Sequence, residues 1–199
     1  LSVKNPLGHT LVENLNITLP QGTSLLIQGK SGAGKTTLLR TIAGLWSYAE
    51  GEVICPTNSQ LFLSQKPYVP QGNLISALTY PNKPDNISHT QAVEILNKVQ
   101  LGHLAEQLEK EKEQDWTRIL SLGEQQRLAF ARLILHKPAV AFLDEATASM
   151  DEGLEFAMYQ LLKKELPKTT LISVGHRSTL KALHQQQLTL QDKGQWQLT

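Results

Sequence analysis

Eight consecutive residues carry the most specific chemistry in the chain. Gly29-Lys30-Ser31-Gly32-Ala33-Gly34-Lys35-Thr36 satisfies the pattern G-x-x-x-x-G-K-[ST] in full. Glycines at these places let the backbone adopt conformations closed to residues with a Cβ, so that successive N–H groups converge on an anion. A helix that begins at the same point directs its positive end there. Lys35 is then placed to neutralise terminal phosphates, the Thr36 hydroxyl to complete a Mg²⁺ shell, and Thr37 to extend the amide cradle into the helix. The ligand implied is a nucleoside triphosphate with Mg²⁺. Lys30 adds a cation at a variable position, best read as a solvated surface lysine at the rim of the cradle.

Further downstream, polar side chains stand at the ends of apolar runs. Leu61-Phe62-Leu63-Ser64 delivers Gln65, Ala139-Val140-Ala141-Phe142-Leu143 delivers Asp144-Glu145, and Leu171-Ile172-Ser173-Val174 delivers Gly175-His176. Ligands of open α/β sheets bind beyond the carboxyl ends of the strands, so Gln65, Asp144, Glu145 and His176 are expected on one rim. Asp144 suits Mg²⁺, held opposite Thr36. Glu145 beside it suits acceptance of a proton from an attacking water. Ser121-Leu122-Gly123-Glu124 reads as a capping box that opens a long helix. A glycine in the first helical turn costs about 1 kcal/mol against alanine, and its presence implies close approach to the backbone. That helix start is a second anion site, on another part of the chain. Two half-sites on one chain imply a dimer.

The elements that must hold these groups read as follows. Residues 1–28 are strands and turns, with alternation at Leu1–Lys4 and Ile17–Leu19. Leu25–Gln28 is a strand, and residues 37–43 are helical until Gly44. Gly51–Ile54 begins another strand. Pro67, Pro70, Gly72, Pro81 and Pro84 predict irregular backbone over about twenty residues. Ser88–Gln91 is a capping box, followed by Val93, Leu96 and Val99 on one helical face. A second helical piece through Leu104 and Leu108 passes into the charged run Glu109–Glu113. A helix over Leu154–Leu166 and a terminal hairpin around Asp192-Lys193-Gly194 complete the chain. The expectation is an α/β fold with a mainly parallel central sheet, an antiparallel β edge and an inserted helical subdomain. Residues 1–71 form the first part of the core, 72–135 the helical subdomain, and 136–199 the second part of the core, all within one structural domain.

Composition narrows the class. The 199 residues suffice for one sizeable α/β core, and the net charge of +1 implies neither a nucleic acid nor an acidic partner. A single cysteine, Cys55, excludes an internal disulfide. No run of 18 apolar residues is present, so no membrane-spanning helix is expected within this sequence. The chain opens on Leu1, and a longer polypeptide from which this is a piece is the expectation.

The motifs in their order resemble those of ATP-binding cassette (ABC) ATPases. Gly29–Thr36 is similar to Walker A, Gln65 to the Q-loop, Leu120-Ser121-Leu122-Gly123-Glu124-Gln125-Gln126-Arg127 to the signature, Asp144-Glu145 to Walker B with its glutamate, Ala148–Asp151 to the D-loop, and His176 to the H-loop. Asp115-Trp116 and Leu78-Thr79-Tyr80-Pro81 resemble subfamily D, the peroxisomal fatty-acyl transporters and their bacterial relatives. The resemblance implies a P-loop NTPase fold, ATP and Mg²⁺, and a head-to-tail homodimer. In it Ser121 and Gly123 contact the ATP held by the other copy and Asp151 couples the two sites. Thr36, Gln65 and Asp144 would serve Mg²⁺, while Glu145, His176 and Gln65 serve hydrolysis. A membrane domain upstream of Leu1 on the same chain is also implied, with the ATPase at the cytoplasmic face of a bacterial inner or an organellar membrane. A soluble ABC ATPase, or a regulatory domain without turnover, would share some of these motifs.

Cassette ATPases often stack the base on an aromatic residue upstream of Walker A, yet residues 1–28 contain no Phe, Tyr or Trp, leaving Asn5, Pro6 or His9 for that role. Stacking on an aromatic platform is worth about 1–3 kcal/mol per base, so GTP is expected to compete within about tenfold of ATP. A competition titration showing strong ATP preference would place the base contact outside residues 1–28.

Overall fold

The computed structural model describes residues 1–83, 87–110 and 112–199. Pro84 of the irregular stretch and Glu111 of the charged run lie outside them. The described chain forms two compact units, Leu1–Leu63 with Pro138–Glu145 and Lys168–Thr199, and Ser64–Lys137 with Ala146–Pro167.

The first unit is built on two sheets. Strands β1 (Ser2–Lys4), β2 (Thr10–Val12) and β4 (Ala49–Glu50) form a small antiparallel sheet in the order β2-β1-β4. Strands β3 (Ser24–Gly29), β5 (Gln60–Ser64), β6 (Val140–Asp144), β7 (Thr170–Val174), β8 (Gln186–Leu190) and β9 (Trp196–Leu198) form the larger one, in the order β5-β6-β7-β3-β8-β9. β6 with β7, β7 with β3 and β3 with β8 run parallel, while β8 and β9 close an antiparallel hairpin. Every residue of β6 and β7 is buried, as strands covered on both faces require, Ser173 included. Helix α1 (Lys35–Ile42) lays Leu38 and Leu39 into a core shared with Leu25, Ile27, Phe142, Ile172 and Leu188. The fold is therefore α/β with a mixed, mainly parallel sheet and a three-stranded antiparallel one.

The second unit is helical: α2 (Leu74–Thr79), α3 (His89–Lys98), a 3₁₀ turn (Gly102–Gln107), α4 (Trp116–Ile119), α5 (Leu122–His136) and α6 (Glu152–Glu165). α5 is buried along most of its length, which marks it as the central helix of this unit. Phe130 on α5 meets Tyr159 on α6 edge to face at 6.2 Å, and the buried Trp116 indole donates to the Gly72 carbonyl at 3.0 Å. Arg132, also buried, donates to the carbonyls of Ala77 and Tyr68 at 2.8 Å each. Burial holds its guanidinium down at about 10. Among the described residues no helix is long and apolar enough to cross a membrane.

Three local expectations differ from the structure. Ile17 and Leu19 do turn inward against the core, but their segment is extended without a ladder partner. The edge strand is instead β2, whose three residues are too short to display a period. The strand expected at Gly51–Ile54 ends before it starts: β4 stops at Glu50, where a Cβ on Gly51 would lie 2.9 Å from Leu1 Cα, and Ile54 is exposed. Within the stretch expected to be irregular, α2 forms because the Asn73 side chain accepts from Ser76 N–H and Leu74, Ala77 and Leu78 bury one face. Both expected capping boxes, at Ser88–Gln91 and Ser121–Glu124, are present with both reciprocal bonds.

Phe142 is fully buried on β6, next to the edge strand of the larger sheet, and stacks on Phe62. Phe142→Ala is expected to cost about 3–5 kcal/mol, read as a lowered midpoint in thermal or urea unfolding. An unchanged midpoint would mean that this strand is not the keystone of the first unit.

Candidate functional site

Backbone register sets the site. Ile27 of β3 is paired with Val174 of β7, and Val174 with Asp144 of β6. Because the three strands are parallel neighbours, the chain segments leaving them, Gly29–Gly34, Glu145 and Gly175-His176, emerge from one edge. They border a cleft of about 380 Å³ lined by Ser31, Gly32, Gly34, Lys35, Thr36, Thr37, Glu145 and His176, with Leu11 at its side.

The floor of the cleft is a helix end without a side-chain cap. Gly34 at the N-cap of α1 has φ 93°, and no side chain accepts from the first turn. Those orphan N–H groups and the positive end of the helix dipole make an anion site. Gly29 is obligatory on two counts: its φ is 146°, and a Cβ there would lie 2.7 Å from the Leu190 carbonyl oxygen. Gly34 is confined in the same way, with Leu11 Cβ 3.0 Å from where its own Cβ would be. Ala33 closes the turn by donating to the Lys30 carbonyl.

Lys35 is nearly buried, and its Nζ donates to the carbonyls of Gly29 and Lys30 at 2.9 and 2.8 Å. Burial pushes its pKa down, opposed by the charge of Glu145. A lysine held by loop carbonyls can be re-aimed at a phosphate with little rearrangement of the loop. The Lys30 side chain does not enter the cleft; it pairs with Asp192 at 3.2 Å, both ends strongly exposed.

The Thr36 hydroxyl donates to Asp144 Oδ1 at 2.8 Å. Burial pushes the Asp144 carboxyl upward, offset by the Thr36 bond and the Arg40 charge. Two hard oxygen donors at the foot of an anion cradle fit Mg²⁺ shared with a phosphate. Among the described residues no group of three His, Cys, Asp or Glu side chains could hold a metal alone, so a metal here would need further oxygen ligands, phosphate and water among them.

Glu145 has φ 52°, a left-handed backbone that a residue with a Cβ rarely adopts. Its N–H continues the sheet ladder to the Val174 carbonyl at 2.9 Å, which keeps it there. The carboxylate is thereby turned towards His176, whose Nε2 lies 2.9 Å from Glu145 Oε1.

The remaining expected residues belong to the second unit. Gln65 directly follows β5, Ser121 and Asp151 are the N-caps of α5 and α6, and Gly123 sits in the first turn of α5. Within this chain the close approach implied by Gly123 is made by the Ser149 carbonyl, 3.0 Å from where a Cβ would stand. Gln126, which the sequence offers only as part of the signature-like run, is 1% exposed and joined by both ends of its amide to the backbone of Gln65 and Ser149. It stands in the polar run Glu124–Arg127, where nothing local in the sequence sets it apart.

A family model described as ABC transporter matches residues 12–148. An ABC transporter ATP-binding protein of Haemophilus influenzae, itself uncharacterized, is 88% identical over 198 residues, covering 100% of this chain and 33% of that protein. ABC transporter D family member 1 of Arabidopsis thaliana is 38% identical over 98% of this chain and 15% of its own length. The human lysosomal cobalamin transporter ABCD4 is 38% identical over 94% of this chain and 33% of its own length. The chain thus spans a third or less of the relatives it matches.

Lys35→Ala removes a buried cation of the cleft while leaving the loop glycines in place, and is expected to abolish ATP binding. Equilibrium binding of a fluorescent ATP analogue checks this. Affinity near that of the unsubstituted chain would contradict the assignment of the cleft.

Proposed function

Because the chain belongs to the ABC transporter family, we propose that it is the ATP-hydrolysing domain of a transporter, closing as a head-to-tail pair around two ATP molecules to drive a membrane domain. The observation that carries the reading is the His176–Glu145 pair, 2.9 Å apart, at the mouth of the loop that begins α1. A carboxylate in a strained backbone, held by a histidine beside a phosphate cradle, is built to act on water next to a phosphate rather than merely to bind one.

In this reading the α1 N-terminus and Lys35 hold the phosphates of ATP, and Thr36, Asp144 and Gln65 serve Mg²⁺, which when bound offsets charge on the β- and γ-phosphates. His176 fixes one oxygen of Glu145, so that the other faces the attacking water and accepts its proton. Ser121 and Gly123 at the start of α5 provide the second anion site, contributed to the ATP of the other copy. Asp151 caps α6 beside that interface and links the two sites. The pair opens when phosphate leaves, and this alternation moves the membrane domain between two facings. That membrane domain is proposed to lie on the same polypeptide upstream of Leu1, as the shares of the relatives covered allow. The ATPase would then face the cytoplasm at a bacterial inner or an organellar membrane.

Glutamine is nearly isosteric with glutamate but accepts no proton from water. Glu145→Gln is expected to lower hydrolysis by roughly 10²-fold or more while prolonging the Mg-ATP-bound pair in sedimentation. Ser121→Arg added to Glu145→Gln is expected to dissolve that pair, since a bulky cation blocks the start of α5. Glu145→Gln turning over ATP at the unsubstituted rate would place the base elsewhere. A variant that is inactive yet never pairs would contradict the head-to-tail arrangement.

A further inference from the structure

The side chain of Gln126, on the second turn of α5, joins three backbone segments inside the second unit. Its Nε2 donates to the Gln65 carbonyl at 2.7 Å, and its Oε1 accepts from Ser149 N–H at 3.0 Å. One partner is an acceptor and the other a donor, so only one orientation of the amide satisfies both. The residue is 1% exposed, and water is no substitute for either bond.

Ser149 meets the same helix at both ends of its backbone. Its N–H is bound by Gln126, and its carbonyl lies over Gly123, one turn earlier on α5. The rest of the turn is tied to itself and to α6: Met150 N–H donates to the Thr147 carbonyl, the Thr147 hydroxyl to the buried Glu155 carboxylate, and Asp151 caps the helix. Residues 147–151 therefore have little freedom except together with the start of α5.

We propose that Gln126 is a positioning residue that makes the Gln65 backbone, the first turns of α5 and the 147–151 turn move as one body. A displacement of Gln65 that accompanies Mg-ATP binding is then transmitted to Ser121 and Gly123 and to Asp151 together, without passing through solvent-exposed side chains. This rests on the ATPase reading above and adds to it the element that ties Gln65 to the surfaces offered to the second copy.

Two substitutions in the full chain separate positioning from mere packing. Gln126→Leu keeps the volume and removes both bonds. Gln126→Glu keeps the acceptor for Ser149 N–H but turns a carboxylate oxygen on the Gln65 carbonyl. Only when protonated does that carboxyl reproduce the donor and acceptor pattern of the amide, and burial favours the protonated form. With Gln126→Leu, kcat is expected to fall about tenfold or more while affinity for a fluorescent ATP analogue stays within about threefold. The kcat of Gln126→Glu, divided by that of the unsubstituted chain, is expected to rise at least about fivefold from pH 8 to pH 6, with the Gln126→Leu ratio flat. A Gln126→Leu chain with unchanged kcat, or a Gln126→Glu ratio as flat as that of leucine, overturns the proposal. Should neither variant fold, amide hydrogen exchange on the unsubstituted chain decides: Mg-ATP must slow Ser149 and the residues around Gln65 together, and independent responses refute the linkage. An unsubstituted chain without ATPase activity sinks the ATPase reading and the linkage with it. An active chain insensitive to both substitutions sinks the linkage alone.

Discussion

Ile27 beside Val174 and Val174 beside Asp144 is the register on which the chemistry of the first unit depends. Side chains alternate along a strand, so a slip of one residue in β6 would turn Asp144 away from Thr36 and carry Glu145 out of reach of His176. Nothing local enforces this register. It is held by the complete burial of β6 and β7, whose apolar runs have no solvent face to slip towards, and by α1, which closes the sheet with Leu38 and Leu39. The same helix that completes the core begins at Lys35, so packing and the proposed phosphate recognition are two uses of one element. The left-handed backbone of Glu145 belongs to this scheme: a conformation costing of order 1–3 kcal/mol persists where the sheet ladder over-determines it.

Much of this was legible in the sequence because it is written in short range. The glycine spacing of residues 29–36 encodes a backbone path, and the structure gives Gly29 and Gly34 a steric reason to be glycine. Buried parallel strands announce themselves as continuous apolar runs, and both capping boxes are four-residue patterns with local bonds. What escaped was decided by partners distant in the chain. β2 exists because β1 offers it a ladder, whereas Ile17–Leu19, with better alternation, finds none. α2 is concealed by the prolines and glycine around it and stabilised by a cap and by packing on α5. Gln126 carries no sign of its role until Gln65 and Ser149, 61 and 23 residues away, are brought to it.

The two units divide the labour by chemistry. The first holds the groups proposed to bind phosphate and to attack it, namely Lys35, Thr36, Asp144, Glu145 and His176. The second holds Ser121, Gly123 and Asp151, each at the start of a helix, and a buried amide joins their supports to the backbone of Gln65. A helix start offered to solvent has value to a phosphate only if a phosphate is brought to it, and in the proposed pair the other copy brings it.

That each working site is shared between two chains is the central claim, and complementation tests it most directly. Lys35→Ala and Ser121→Arg chains, carrying different affinity tags, are produced together, and mixed pairs are isolated through both tags for a phosphate-release assay. In such a pair one site has lost both halves and the other has lost neither. The account predicts Mg²⁺-dependent ATP hydrolysis by the mixed pair where each variant paired with itself is silent. A mixed pair as silent as its parents would contradict it.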